Sequence, residues 1–349
     1  MTEQYCDIII VGGGQSGLAV AYYLRRLKLD YLILDAENEP GGSWQHYWDS
    51  IKLFSPAQWS SLPGRILQGG TSHYPTREEM IQYLTDYEKH YRLKVQRPIE
   101  VKSVTKEGEL FYLNTDGGDY RCKVLISTTG SFKKPIIPDF TGLDSFNGSI
   151  IHSAKYQSPT SFEGKRVGII GEGNSGAQIL AEVSKVADTY WITKDDPDFL
   201  PDHVDGKYLF DAASQLYEAK KKGKKFIPPS LGHIVMVPSV VDARERGVLK
   251  HHVGLETFTA KGIHLSDGTT ILLDAIIFCT GYLPVIDYLR GLNISFRHNK
   301  VDTHGTRSRE LPGLWMVGYG SWTGFASATV IGVGRSAKAT AHEVKEYLS

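Results

Sequence analysis

Two stretches of the chain repeat one pattern of apolar and polar positions. In "YCDIIIVGGGQSGLAVAYYLRRLKLDYLILDAE" an unbroken apolar run leads into a glycine turn, apolar positions then recur at helical spacing, and a second apolar run ends at Asp35. "KRVGIIGEGNSGAQILAEVSKVADTYWITKDD" follows the same order. Short continuous apolar runs fit strands buried on both faces, and the periodic segment between them fits an amphipathic helix. Apolar runs also precede residues 128–130 ("KVLIS" before "TTG") and residues 279–281 ("AIIFC" ending in "CTG"). The last piece, "LWMVGYGSWTGFASATVIGVGRSAKATAHEVKEYL", predicts a strand, a glycine-rich turn and a long helix. Strands alternating with helices in this way predict an α/β fold with two Rossmann-like dinucleotide-binding domains.

The glycines give the two turns their chemistry. Gly12, Gly14 and Gly17 fit G-x-G-x-x-G, and so do Gly171, Gly173 and Gly176. The first glycine of such a motif permits the tight turn, the second lets a pyrophosphate approach the backbone, and the third lets the helix pack on the strand. Free N–H groups and the positive dipole end at the helix start then face the phosphates. Asp35 lies twenty-three positions after Gly12, where a carboxylate accepts hydrogen bonds from ribose hydroxyls; Lys194 lies twenty-three after Gly171. A third match, "GVGRSA" at 332–337, sits in the helical C-terminal stretch with no room for a following strand, and is discounted. Two dinucleotide sites in one chain point to electron transfer between a bound flavin and a diffusible nicotinamide, the cofactors carrying the chemistry.

Composition narrows the class. At 349 residues the chain has room for two ordinary domains, and 41% hydrophobic with 22% charged residues describes a soluble globular protein. Thirty-nine basic residues balance thirty-nine acidic ones, so no global field attracts nucleic acid or anionic lipid. The basic run "KKKGKK" at 220–225 reads as a solvated loop. Cys6, Cys122 and Cys279 form no C-x-x-C pair, which argues against a disulfide framework, a zinc site and a dithiol relay. A start almost directly in a strand leaves no room for a signal peptide, and no run approaches eighteen apolar residues. A cytoplasmic enzyme, bound to neither membrane nor nucleic acid, is expected.

With these motifs in order, the chain resembles the bacterial flavin-containing monooxygenases, class B flavoprotein monooxygenases, along nearly its whole length. It is most similar to the short members with relaxed NADH/NADPH preference. "GGGQSG" with Asp35 matches the FAD motif, "PGGSW" (40–44) the GG-x-W turn, and "GEGNSG" the nicotinamide motif. Phe146, Gly148, His152 and Tyr156 match the fingerprint F-x-G-x-x-x-H-x-x-x-[YFW], and "FCTGY" (278–282) matches the A-T-G-Y segment. The resemblance implies a nicotinamide domain (159–281) inserted into an FAD domain built from 1–158 and 282–349. It implies FAD held by Gly12, Gly14, Gln15, Ser16, Gly17, Asp35, Gly42, Trp44 and Thr129. The NADPH or NADH donor falls to Gly171, Gly173, Asn174, Ser175, Gly176, Lys194 and Asp195. The C-terminal helix is expected to point its N-terminus at the flavin pyrimidine, where its dipole stabilises reduced flavin. A small-molecule substrate and O2 complete the reaction, and a homodimer is left open.

The implied activity is oxygenation of a soft nucleophile, thioether sulfur or amine nitrogen, through a C4a-hydroperoxyflavin. The flavin supplies the electrophile, so no catalytic residue is assigned. Alignment and exclusion of water are what the protein must provide. The segment "LFSPAQW" lacks the asparagine many members place beside the flavin. The arginine of Baeyer–Villiger relatives has no clear counterpart, and Tyr156 stands where those relatives usually have Trp. These departures favour heteroatom oxygenation over ester formation from ketones. The alternatives are a Baeyer–Villiger-type ketone monooxygenase and a pyridine-nucleotide-dependent reductase or NAD(P)H oxidase; a non-catalytic redox sensor stands outside the enzymes. His152 reads either as a linker histidine or as a catalytic one. Phe54, Trp59, Trp322 and Phe325 read either as a substrate pocket or as core.

Overall fold

The computed structural model describes residues 3–202, 204, 208, 211, 212, 215, 216, 218, 219, 222–224 and 233–349. Two parallel-stranded layers dominate it. The first is a seven-stranded sheet in the order Thr303–His304, Arg307–Ser308, Leu314–Met316, Val124–Ser127, Ile8–Val11, Tyr31–Leu34, Val95–Gln96, parallel from Leu314–Met316 onward. Ile8 and Ile10 point to one face, into a core with Leu18, Met80 and Ala341 from three helices, Gln15–Arg26, Arg77–Tyr91 and Val333–Leu348. Ile9 and Val11 point to the other face, against Phe111 and Leu113 of a four-stranded mixed sheet and against Leu289. The period-two alternation of a strand thus serves two cores at once, which is why the run carries no polar residue.

The second sheet has five parallel strands in the order His251–Val253, Asp188–Thr193, Arg166–Ile170, Ala275–Phe278, Ser149–His152. Val167 and Ile169 pack on Ile179 and Leu180 of the helix Asn174–Val183. Ile170, Ile192, Ile276 and Phe278 face a three-stranded antiparallel sheet through Phe258, Ile263 and Ile271. The chain leaves the first sheet after Val124–Ser127 and returns to it at Thr303–His304, so the second domain is inserted into the first.

One boundary differs from the sequence reading. Ser149–His152, expected within the first segment (1–158), pairs with Ala275–Phe278 and is the edge strand of the second sheet. The chain therefore enters the inserted unit before residue 149, not after 158. Its exposed serine and the partial burial of Ile150 and Ile151 suit an edge position. The discounted 332–337 match forms the first turn of the helix Val333–Leu348. Of the basic run at 220–225, Lys220, Lys221 and Lys225 lie outside the described residues, and Lys222 and Gly223 sit in a turn. Among the described residues, no helix is long and apolar enough to cross a membrane, and no cluster of three or more His, Cys, Asp or Glu is arranged to hold a metal. All three cysteines are free thiols.

Candidate functional site: two glycine turns on one cleft

The two glycine turns are built alike, atom for atom. Gly12 has φ +109°, and a Cβ there would lie 2.8 Å from the Thr128 carbonyl oxygen; a Cβ on Gly17 would lie 2.0 Å from the Gly12 oxygen. Gly171 has φ +129° with the Cys279 oxygen 2.4 Å from its Cβ position, and a Cβ on Gly176 would meet the Gly171 oxygen at 2.3 Å. First and third glycines are thus demanded by the fold itself. The second ones are not. Around Gly14 the nearest atom to a Cβ is Gly42 Cα at 3.9 Å, and around Gly173 nothing lies within 4 Å. Both have extended backbones that any residue adopts.

That open space lies where a ligand is expected. Gly14 and Gly173 stand at the N-caps of their helices, and neither helix start has a side-chain cap or an acidic residue in its first turn. The helix Arg77–Tyr91, by contrast, carries a complete capping box, Thr76 with Glu79. Uncapped N–H groups beside empty space are an anion cradle, and a pyrophosphate fits it. On this test both turns fit a dinucleotide.

The remaining expected FAD residues gather around the first turn. Asp35 is 4% exposed, lines the cleft and accepts a 2.7 Å bond from Arg97 Nε, while both Arg97 terminal nitrogens grip Glu88 at 2.9 and 2.8 Å. A Cβ on Gly13 would lie 2.4 Å from Asp35 Oδ2, so the carboxylate lies across the turn only because residue 13 is also glycine. Sequence reasoning missed Gly13 and Arg97. A third consecutive glycine where the motif asks for two was the signal for the first; nothing local marked the second. Gln15 donates to Ala328 O at 2.7 Å and accepts from Trp44 Nε1 at 3.1 Å, joining the turn to the C-terminal segment and to the GG-x-W turn. Gly42 abuts Gly14, and Ser16 lies against Gly318. The Thr129 hydroxyl donates to Val285 O at 2.6 Å and meets Tyr319 Oη at 2.7 Å, so its side chain serves the chain crossing while the residue borders the cleft.

A cleft of about 620 Å³ runs from this turn to the second domain, which contributes Asn174, Leu200, His233 and Val235 to its wall. The aromatic group splits: Phe54 and Trp59 line the cleft, whereas Trp322 donates to Val301 O and packs in a core, and Phe325 is not part of the lining. Trp44 faces the cleft and begins an aromatic run, with Tyr47 at 5.2 Å, Phe132 at 4.7 Å from Tyr47, and Tyr282 stacked on Phe132 at 5.4 Å. Burial pushes the Tyr47 phenol well above its ordinary range, so it stays protonated. Beside this wall Glu37 is held by Lys133 at 2.7 Å and His46 at 2.9 Å. Burial alone would raise its pKa, but these two partners outweigh burial and hold it below the usual range. No arginine lines the cleft among the described residues.

On the nicotinamide side the side chain of Asn174 is committed at both ends, donating to His233 O at 3.2 Å and accepting from Val235 N at 2.9 Å. It pins the strip that carries His233 and Val235 to the start of its helix. Ser175 follows within the first helical turn. Trp191, buried and missed by the sequence reading, donates to Gly171 O at 2.9 Å and locks the turn from beneath. The Lys194 N–H donates to Glu172 Oε2 at 3.1 Å, leaving its ammonium exposed beside exposed Asp195; Asp196 pairs with His251 at 3.0 Å. His152 is 3% exposed and outside the cleft lining. Its Nδ1 accepts the Ala154 N–H at 3.1 Å, and burial lowers its pKa, so a neutral ring caps the turn of the linker.

Residues 9–207 match the family model described as pyridine nucleotide-disulphide oxidoreductase. A flavin-containing monooxygenase from Stenotrophomonas maltophilia superposes with a TM-score of 0.91 at 44% identity, covering 99% of this chain and 100% of that one. A CzcO-like oxidoreductase from Geobacillus kaustophilus is 30% identical over 96% of this chain and 97% of its own length. The indole-3-pyruvate monooxygenase YUCCA6 of Arabidopsis thaliana is 26% identical over 96% of this chain and 89% of its own.

Proposed function

Since the chain belongs to the pyridine nucleotide-disulphide oxidoreductases, and among them to the flavin-containing monooxygenases using FAD and NAD(P)H, we propose that it oxygenates soft nucleophiles, thioether sulfur or amine nitrogen. The observation that carries this reading is the character of the shared cleft. Its wall toward the second domain carries Phe54, Trp59, Leu200 and Val235 beside Asn174 and His233, and no arginine reaches it among the described residues. A neutral, polarisable substrate suits such a wall, and an anionic one does not.

When bound, FAD would supply the redox chemistry that couples the nicotinamide donor to dioxygen. The chain's own part is to hold, align and keep dry. Gly14 and Gly173 leave room over uncapped helix starts where the two pyrophosphates would sit, and Asp35, fixed by Arg97, would accept from a ribose. Trp44, Tyr47, Phe132 and Tyr282 wall the cleft against water, and Tyr47 retains its phenolic proton. Phe54 lines the cleft from the segment in which many members carry an asparagine, so this chain offers an apolar ring there.

The test is NADPH consumption with methyl phenyl sulfide, quantifying sulfoxide and peroxide together. Close to one sulfoxide per NADPH is expected. Peroxide alone across a panel of thioethers and amines would refute oxygenation of soft nucleophiles, and lactone from a cyclic ketone would redirect the assignment to Baeyer–Villiger chemistry.

The donor preference is proposed to be balanced. Strict NADPH sites gain from arginine's planar fork on the 2′-phosphate, whereas Lys194 offers only a mobile point charge. With Asp196 occupied by His251, Asp195 is the acid left to oppose the phosphate or accept from a free 2′-hydroxyl. Exposed charges of opposite effect nearly cancel after solvent screening. Catalytic efficiencies with NADH and NADPH are expected within about tenfold, roughly 1.4 kcal/mol. Lys194→Ala should harm NADPH use more, and Asp195→Ala NADH use more; a wild-type preference beyond about a hundredfold either way would exclude a balanced site.

A further inference from the structure

The helix whose N-terminus borders the second turn is held at its other end by Arg246 of its own domain, on Ala181 O and Ser184 Oγ, and is joined to the FAD domain by the carboxylate of Glu182. Glu182 Oε1 accepts Ser50 Oγ at 2.6 Å and Trp48 Nε1 at 3.3 Å, and its Oε2 accepts the Tyr156 hydroxyl at 3.0 Å. Ser50 and Trp48 follow the GG-x-W turn in the FAD domain, whereas Tyr156, which follows the edge strand Ser149–His152, and Glu182 both belong to the inserted domain. Trp48 and Tyr156 are 2% and 1% exposed and meet edge to face at 5.9 Å. No cation pairs with Glu182 among the described residues, so three neutral donors from outside its own helix hold it. Trp48 also packs on Tyr47 at 6.0 Å, and Tyr47 belongs to the cleft wall. One aromatic run therefore links the wall of the flavin side to the far end of the nucleotide-binding helix.

We propose that Glu182 is a positioning residue for hydride transfer: it fixes the tilt of the helix Asn174–Val183 and thereby the distance between nicotinamide and flavin. The lever argument is simple. Ten residues make a helix about 15 Å long. A tilt of about 10° at the tethered end moves the other end by about 2–3 Å over that length. Hydride transfer needs reacting atoms about 3–3.5 Å apart, and a misplacement of about 1 Å costs on the order of a hundredfold in rate. A carboxylate suits the task because its two oxygens take three donors arriving from two directions, which no single donor pair could fix in angle.

This inference rests on the two-nucleotide reading, and the experiment separates the two. Anaerobic stopped-flow reduction of the FAD-loaded holoenzyme by NADPH is followed for wild type, Glu182→Ala and Glu182→Gln. FAD content, the NADPH Kd, the deuterium isotope effect with 4-deuterated NADPH and the long-wavelength charge-transfer band are recorded beside the rate. Glu182→Ala is expected to slow flavin bleaching about tenfold or more at saturating NADPH. FAD content and NADPH Kd should stay within about twofold, the isotope effect should rise and the charge-transfer band weaken. Glu182→Gln keeps an oxygen for Ser50 and Trp48 and presents an N–H to Tyr156, so it should recover most of the rate. Where Glu182→Ala loses FAD, Ser50→Ala removes the shortest of the three bonds at an exposed position and should slow bleaching about two- to fivefold. A wild-type rate in Glu182→Ala, or Glu182→Gln as slow as Glu182→Ala, overturns the proposal. A wild-type enzyme that NADPH fails to bleach overturns the two-nucleotide reading instead.

Discussion

Gly14→Val is expected to give a folded, colourless protein. The backbone at Gly14 is extended (φ −76°, ψ −172°), a conformation open to valine, and beyond its chain neighbours a Cβ would meet no protein atom nearer than Gly42 Cα at 3.9 Å. The isopropyl group therefore costs the ligand-free fold little. It occupies the space above the uncapped helix start, where the pyrophosphate must come within hydrogen-bond distance of the N–H groups. FAD affinity should fall at least about a hundredfold, roughly 2.7 kcal/mol, read as lost absorbance near 450 nm in purified protein with unchanged circular dichroism. Gly17→Ala is the control: its Cβ would sit 2.0 Å from the Gly12 oxygen, so it should damage the fold as well as the colour. A Gly14→Val protein that keeps a full complement of flavin would show the first turn to be misassigned.

Gly173→Val should produce the complementary phenotype, a yellow protein that NADPH and NADH cannot reduce. Gly173 is likewise extended (φ −94°, ψ −178°) with nothing within 4 Å of its Cβ position, and it caps a helix with no side-chain cap. Flavin retention and melting temperature should match wild type, since the first turn is untouched and the second meets no clash. The rate of flavin reduction at a fixed, sub-saturating NADPH concentration should drop about a hundredfold or more, equivalent to roughly 2.7 kcal/mol of lost binding. Dithionite should still bleach the flavin. Normal reduction by NADPH would place the nicotinamide elsewhere. The two valines together assign one nucleotide to each turn without relying on product analysis.

What the sequence determined by itself is local. The continuous apolar runs, the helical spacing between them and the three-glycine offsets state their own conformations, because a tight turn and a close helix–strand approach are decided by the residues that make them. Hence both Rossmann units and the C-terminal helix were legible, while the insertion was implied by the resemblance of the whole motif order. The motif also separates its glycines by role, and the atoms around Gly12 and Gly17 crowd a Cβ as those around Gly14 do not. Tertiary structure decided whatever depends on partners distant along the chain. Ser149–His152 reads as part of the first segment until it is seen beside Ala275–Phe278. Asp35 is held by Arg97, sixty-two positions on, and only the folded path brings them to 2.7 Å. Asn174 reads as a cofactor ligand, yet its amide is spent on His233 and Val235. Phe54, Trp59, Trp322 and Phe325 look equivalent as residue types, and only packing sends the first two to the cleft. Glu182, an unremarked acid on a helix, becomes a tether because donors from residues 48, 50 and 156 converge on it. Periodicity encodes which face of an element is buried, while the identity of the neighbour across that face is set by the packing of the whole chain.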